Sequence, residues 1–181
     1  MKRIEISPDK FVLQAMKAWG NDWFLLTSGD FKNGKFNTMT VAWGSFGVMW
    51  QKPIAMVVVR PSRHTYGFIE KYDSFTLTAF GPSHRNALSF CGVKSGRDTD
   101  KIKGTGLTPI PSLKIGSPGF DEAELIVECR KIYFDDFKPG NFLDPAIEGN
   151  YSGKDYHRMY FGEIVSISGD KKYLGGEKEK N

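Results

Sequence analysis

Apolar residues along this chain recur mostly with the two-residue period of strands. Ser74–Phe80 reads SFTLTAF, with Phe75, Leu77 and Ala79 alternating against Thr76 and Thr78, and predicts a half-buried strand. Ile54–Val59 is the longest unbroken apolar run. Pro53 and Pro61 bracket it, and its character predicts a strand buried on both faces. Asp22–Thr27, Lys35–Ser45, Leu125–Phe134 and Met159–Ile167 predict further strands, and Asn33-Gly34 marks a tight turn between the first two. Helical periodicity is rarer. Pro8–Trp19 has Ser7 at the cap, Pro in the first turn and Phe11, Val12, Ala15, Met16 and Trp19 on one stripe, which predicts a helix. Arg63–Lys71 and Ser83–Cys91 predict short helices after strand ends, and Asp98–Lys103 one more turn. Many short strands with few helices predict a mainly β fold, a barrel with helical decoration. Residues 169–181, GDKKYLGGEKEKN, are polar and Gly-rich and read as a loose tail beyond a domain spanning 1–168.

The length, 181 residues, fits one domain with a sizeable core. Fourteen Phe, seven Tyr and four Trp exclude a disordered chain. Lys plus Arg is 25 against 21 Asp plus Glu, a net charge of +4, which suits an anionic ligand but gives little support for nucleic acid. Two cysteines, Cys91 and Cys129, make neither a disulfide framework nor a zinc site and fit a reducing compartment. No apolar stretch is long enough to span a membrane, and the start lacks a signal-peptide core, so a cytoplasmic protein is expected.

Four segments could carry chemistry. Asn37–Gly44, NTMTVAWG, mixes amide and hydroxyl groups with small residues that let a flat ring approach the backbone. Residue types alone favour a polar-faced edge strand there. Arg60–Tyr66, RPSRHTY, follows the buried strand and opens a helix. It is either an anion cradle of guanidinium groups and free N–H groups or a solvated basic turn. In Asp155–Ile164, His157 is a candidate proton donor or ligand-polarising group near its working pKa, although residue type alone favours a structural His at a strand start; with no second ligand at metal spacing, no metal is expected. Around Cys91, a buried structural thiol outweighs a nucleophile, and Gly96-Arg97-Asp98 reads as a turn. No GxGxxG follows a strand, and Walker, HExxH and GxSxG motifs are missing.

Taken in order, NTMTVAWG, RPSRHTYGFI, SFTLTAF, HRNALSFCG, GRDTDKI and YHRMYFGEI make the chain resemble the flavin reductase-like family, nearest to its flavoredoxin-type members, over roughly residues 10–168. The resemblance implies an FMN-binding split β-barrel of Greek-key type, with non-covalent FMN at a homodimer interface. It implies that Asn37, Thr38, Met39, Thr40, Ala42, Trp43 and Gly44 run along the cofactor. Arg60, Ser62, Arg63 and Thr65 would grip phosphate and ribityl, with Asn86 and Ser89 adding phosphate contacts, and His157 would lie toward the reactive face. The implied activity is an oxidoreductase passing electrons from NAD(P)H through flavin to a flavin, protein or small-molecule acceptor. The alternatives are an FMN electron carrier without NAD(P)H activity and a non-enzymatic cofactor-binding barrel. Neither nucleic acid nor membrane is an expected partner. Pro139–Lys154 matches no implied role and is a candidate cover for the site.

Overall fold

The computed structural model describes residues 2–176. Its strands are β1 (Ile4–Glu5), β2 (Phe24–Asp30), β3 (Lys35–Val41), β4 (Gly44–Met49), β5 (Lys52–Val59), β6 (Ser74–Ala79), β7 (Pro109–Ile110), β8 (Gly119–Phe120), β9 (Leu125–Asp136) and β10 (Arg158–Gly169). The helices are α1 (Ala15–Lys17), α2 (His64–Lys71), α3 (Arg85–Val93) and α4 (Lys101–Thr105), with short 3-10 and π turns between. The main sheet is antiparallel and runs β3-β2-β6-β9-β10-β5-β4, with β1 beside β10.

This order explains the barrel. β3 and β4 lie at opposite ends of the hydrogen-bonded path, yet only Ala42 and Trp43 separate them in sequence. Val41 and Gly44 are three Cα steps apart, at most about 11 Å, so the sheet must curl until its ends come together. The seam carries no ladder among the described residues, as a split barrel requires. The chain leaves β5, crosses through α2 and enters β6 beside β2 on the far side, a Greek-key return. Gly34, at φ 63°, makes the predicted turn between β2 and β3. Inside the barrel, Phe24, Leu26, Val57, Val59, Phe75, Leu77, Val127 and Tyr160 form the core. A second cluster, including Leu25, Leu88, Cys91, Leu107 and Phe120, seats α3 against the outer face of β2.

Three local expectations differ from the fold. Pro8–Trp19 is not one helix. Phe11–Gln14 is extended because its backbone pairs with the C-terminal segment: the Val12 N–H donates to Tyr173 O at 3.0 Å, and the Gly175 N–H to Lys10 O at 2.7 Å. The same bonds hold down the stretch expected to be a loose tail, with Tyr173 buried, while 177–181 lie outside the described residues. β6 is buried on both faces. Thr76 donates to Pro118 O at 2.7 Å and Thr78 to Leu25 O at 3.3 Å, so its hydroxyls are satisfied inside the protein. No described helix is long and apolar enough to cross a membrane.

Candidate functional site

The Ala42–Trp43 corner that closes the barrel also lines a cleft of about 210 Å³. Met39, Thr40 and Val41 of β3 form one wall. Val58, Arg60, Arg63 and His157 form the other. Trp43 stands 47% exposed at the mouth, its ring 5.1 Å from that of His157. Met39 and Arg63 also border a second cavity of about 90 Å³, enclosed by the start of α2, the end of α3 and the turn leading to α4. The two cavities are therefore neighbours that share Met39 and Arg63 in their walls.

The second cavity is cationic. Arg63 reaches Gly92 O at 3.4 Å, and Arg97 reaches Ser62 O at 3.1 Å. Lys101 is the group that sequence reasoning missed. It is only 6% exposed, and its Nζ donates to Thr38 O and Cys91 O, both at 2.8 Å. An ammonium carries three donors, so one N–H is left without an acceptor among the described residues, in a side chain that lines the cavity. Burial lowers the Lys101 pKa and pushes the Cys91 thiol up to about 11, which keeps Cys91 in the structural role expected of it.

At the other end, His157 is 8% exposed, and its Nδ1 lies 2.8 Å from the Tyr151 hydroxyl. Burial, reinforced by the Arg60 charge, lowers its pKa to about 4. The ring is thus neutral at pH 7, not a protonated donor near its working pKa as expected. Arg60 Nη1 pairs with Asp155 at 2.7 Å, its Nη2 donates to Asn150 O at 2.8 Å, and its guanidinium lies 4.9 Å from the Tyr151 ring centroid. Ser62 also donates to Asp155, at 2.8 Å. Burial pushes Asp155 up, but the bonds from Ser62 and Arg60 outweigh it and leave the carboxyl below its ordinary value. Arg60 is therefore engaged with the Pro139–Lys154 segment through Asn150 and Tyr151, and Arg60 and Ser62 together hold Asp155 just beyond it.

The structure brings together Met39, Thr40, Ala42, Trp43, Arg60, Arg63 and His157 around the first cavity and Ser62, Arg63 and Thr65 around the second. Asn37 donates to Thr65 Oγ1 at 2.7 Å and braces that wall. Five expected residues line neither cavity: Asn37, which only braces a wall, and Thr38, Gly44, Asn86 and Ser89. Thr38 is buried, with its hydroxyl bonded to Thr27 and Leu26 O. Gly44 makes room for Trp19 rather than for a ring in the cleft, because a Cβ there would sit 2.5 Å from the indole. Asn86 and Ser89 lie on the exposed face of α3, opposite buried Leu88 and Cys91.

Three solved structures share this architecture. Flavoredoxin of Desulfovibrio vulgaris is 22% identical, with TM-score 0.65 over 89% of this chain and 75% of that one. An FMN-binding protein from Thermus thermophilus, solved with 1-cyclohex-2-enone, is 18% identical, with TM-score 0.65 over 84% and 75%. A putative flavin reductase with a split barrel domain from Shewanella frigidimarina is 19% identical, with TM-score 0.64 over 82% and 67%. An uncharacterised protein of Pyrococcus abyssi is 25% identical over 124 residues, 67% of this chain, and the chain spans 60% of that relative's length. The flavin reductase like domain profile matches residues 16–176. With nearly the whole barrel inside that match, the chain belongs to the flavin reductase-like domain family.

Proposed function

We propose that this protein is an FMN-dependent oxidoreductase of the flavin reductase type, taking electrons from NAD(P)H and passing them to a flavin, a protein or a small acceptor. The observation that carries the reading is a small cationic cavity beside a larger cleft, with Met39 and Arg63 common to both and aromatic and small residues along one strand. A phosphate suits the first cavity, where Arg63, Arg97 and the spare N–H of Lys101 converge. A flat ring suits the second, between β3 and the Trp43–His157 pair. The donor set thus fits FMN. Bound there, FMN would supply reversible transfer of an electron pair. The chain itself would hold the phosphate through Lys101 and Arg63, bed the ring on Met39–Trp43, and offer neutral His157 as a polar contact.

The cleft is open on one side, and Trp43 at its mouth belongs to a wider set of exposed apolar residues with Val48, Met49, Trp50, Tyr133 and Phe134. We propose that a second copy of the chain packs there and completes the site. Apolar exposure on this scale marks interaction surfaces.

The test has two stages. Purified protein is mixed with FMN, filtered, and its visible spectrum recorded. Retained FMN supports the cofactor, and a colourless filtered protein overturns it. NADH or NADPH oxidation by the loaded protein, with free flavin as acceptor, then supports the reductase. FMN retention without any oxidation would move the protein to the electron-carrier reading.

A further inference from the structure

The Tyr151–His157 contact is buried and can be assigned a direction. Tyr151 is 2% exposed, and its hydroxyl makes its one side-chain hydrogen bond among the described residues to His157 Nδ1, at 2.8 Å. Two arrangements satisfy that distance. If His157 donated from Nδ1, the phenol proton would be left without an acceptor, at the cost of a buried unsatisfied donor. If Tyr151 donates, the phenol is satisfied, and the ring proton sits on Nε2, at the opposite edge of a side chain that lines the cleft.

The surroundings favour the second arrangement. Arg60 lies over the Tyr151 ring at 4.9 Å and draws density from the phenol, making it the better donor. Arg60 and Arg63 both oppose a second proton on the imidazole, against the single attraction of Asp155, whose carboxylate is already held by Arg60 and Ser62. Trp43 and Phe137 flank the ring with no polar atom to compete for Nδ1. Tyr151 is itself fixed, stacked on Phe142 at 5.8 Å and 11°.

We propose that Tyr151 is a positioning residue that holds His157 as its neutral Nε2–H tautomer, so that the ring presents a fixed hydrogen-bond donor to a carbonyl or ring-nitrogen acceptor in the cleft. That the acceptor belongs to a flavin or its substrate rests on the function proposed above; the tautomer does not. Tyr151 comes from the Gly- and Pro-rich loop, so this loop tunes the site rather than merely covering it.

The test is nitrogen NMR of the imidazoles in the 15N-labelled full-length protein without added flavin. The chain has three histidines, and His157→Gln assigns the signal of interest. The expected wild-type spectrum shows an unprotonated Nδ1 and a protonated Nε2, unchanged from pH 8 to pH 5. Tyr151→Phe removes only the hydroxyl and is expected to give a mixture of both tautomers. Protonated Nδ1 in the wild type, mixed tautomers in the wild type, or a single Nε2–H form in Tyr151→Phe would each overturn the proposal. Failure of the flavin reading shows instead as lack of FMN retention, with this spectrum unaffected.

Discussion

Removing the His157 imidazole is expected to flatten the acid limb of the protein's stability curve. The folded ring takes up a proton only near pH 4, whereas the unfolded side chain does so near 6.5. As pH falls through that window, the unfolded chain binds the proton first. Stability is therefore fully present above pH 6.5 and is lost progressively down to pH 4, below which both states are protonated. At 1.36 kcal/mol per pKa unit the gap corresponds to about 3 kcal/mol. Against a typical total of roughly 5–15 kcal/mol, that is a large share. Carboxylates held low by partners, such as Asp136 beside Arg158, act below their unfolded value of 3.8. Burial also lowers the His64 pKa from 6.5, so His64 contributes in the same direction, but equally in wild type and variant, and it cancels in the comparison. The assay is urea unfolding at half-unit steps from pH 7.5 to pH 4, on wild type and His157→Gln. The wild type should lose about 3 kcal/mol more than the variant across the window. Equal losses in the two proteins would refute the buried, neutral ring.

Other consequences are equally direct. Lys101→Met should weaken FMN binding roughly ten- to hundredfold, as expected for one charge-assisted bond, and leave riboflavin binding unchanged; fluorescence titration with both ligands checks it. Gly44→Ala forces a Cβ to within 2.5 Å of both Met56 O and Trp19, and the backbone oxygen cannot step aside, so thermal unfolding should report a loss of about 1–3 kcal/mol. Asp155→Asn removes the negative charge and one of the two carboxylate oxygens that Arg60 and Ser62 donate to. Limited proteolysis should then cut faster within residues 139–154, while the melting temperature falls by no more than a few degrees.

The barrel strands were legible because each is a short apolar or alternating run ended by Pro, Gly or a turn pair. The joining of β3 to β4 through Ala42–Trp43 was visible only as a mixed segment, since curvature is a property of the whole sheet. The N-terminal stripe misled because its backbone partner, Tyr173 to Gly175, lies far away in sequence. Lys101 stands in a charged stretch, DTDKIK, where a lysine is ordinarily solvated. Nothing local shows that α3 and β3 will close over it and leave two carbonyls as its partners. Asn86 and Ser89 were separable in principle, because the i, i+3 pair Leu88 and Cys91 fixes the inward face of α3 and turns both outward. The shifted His157 was hidden because its burial and the approach of Arg60 come from packing between distant segments.

The central claim is that one cleft holds a ring at one end and a phosphate at the other. Parallel titrations of the purified protein with FMN and riboflavin test it most directly, because the two ligands differ only in the phosphate. The account predicts saturable binding of both, with FMN tighter by at least tenfold and the advantage fading as salt rises. Equal affinity for the two ligands, or no binding of either, would contradict it.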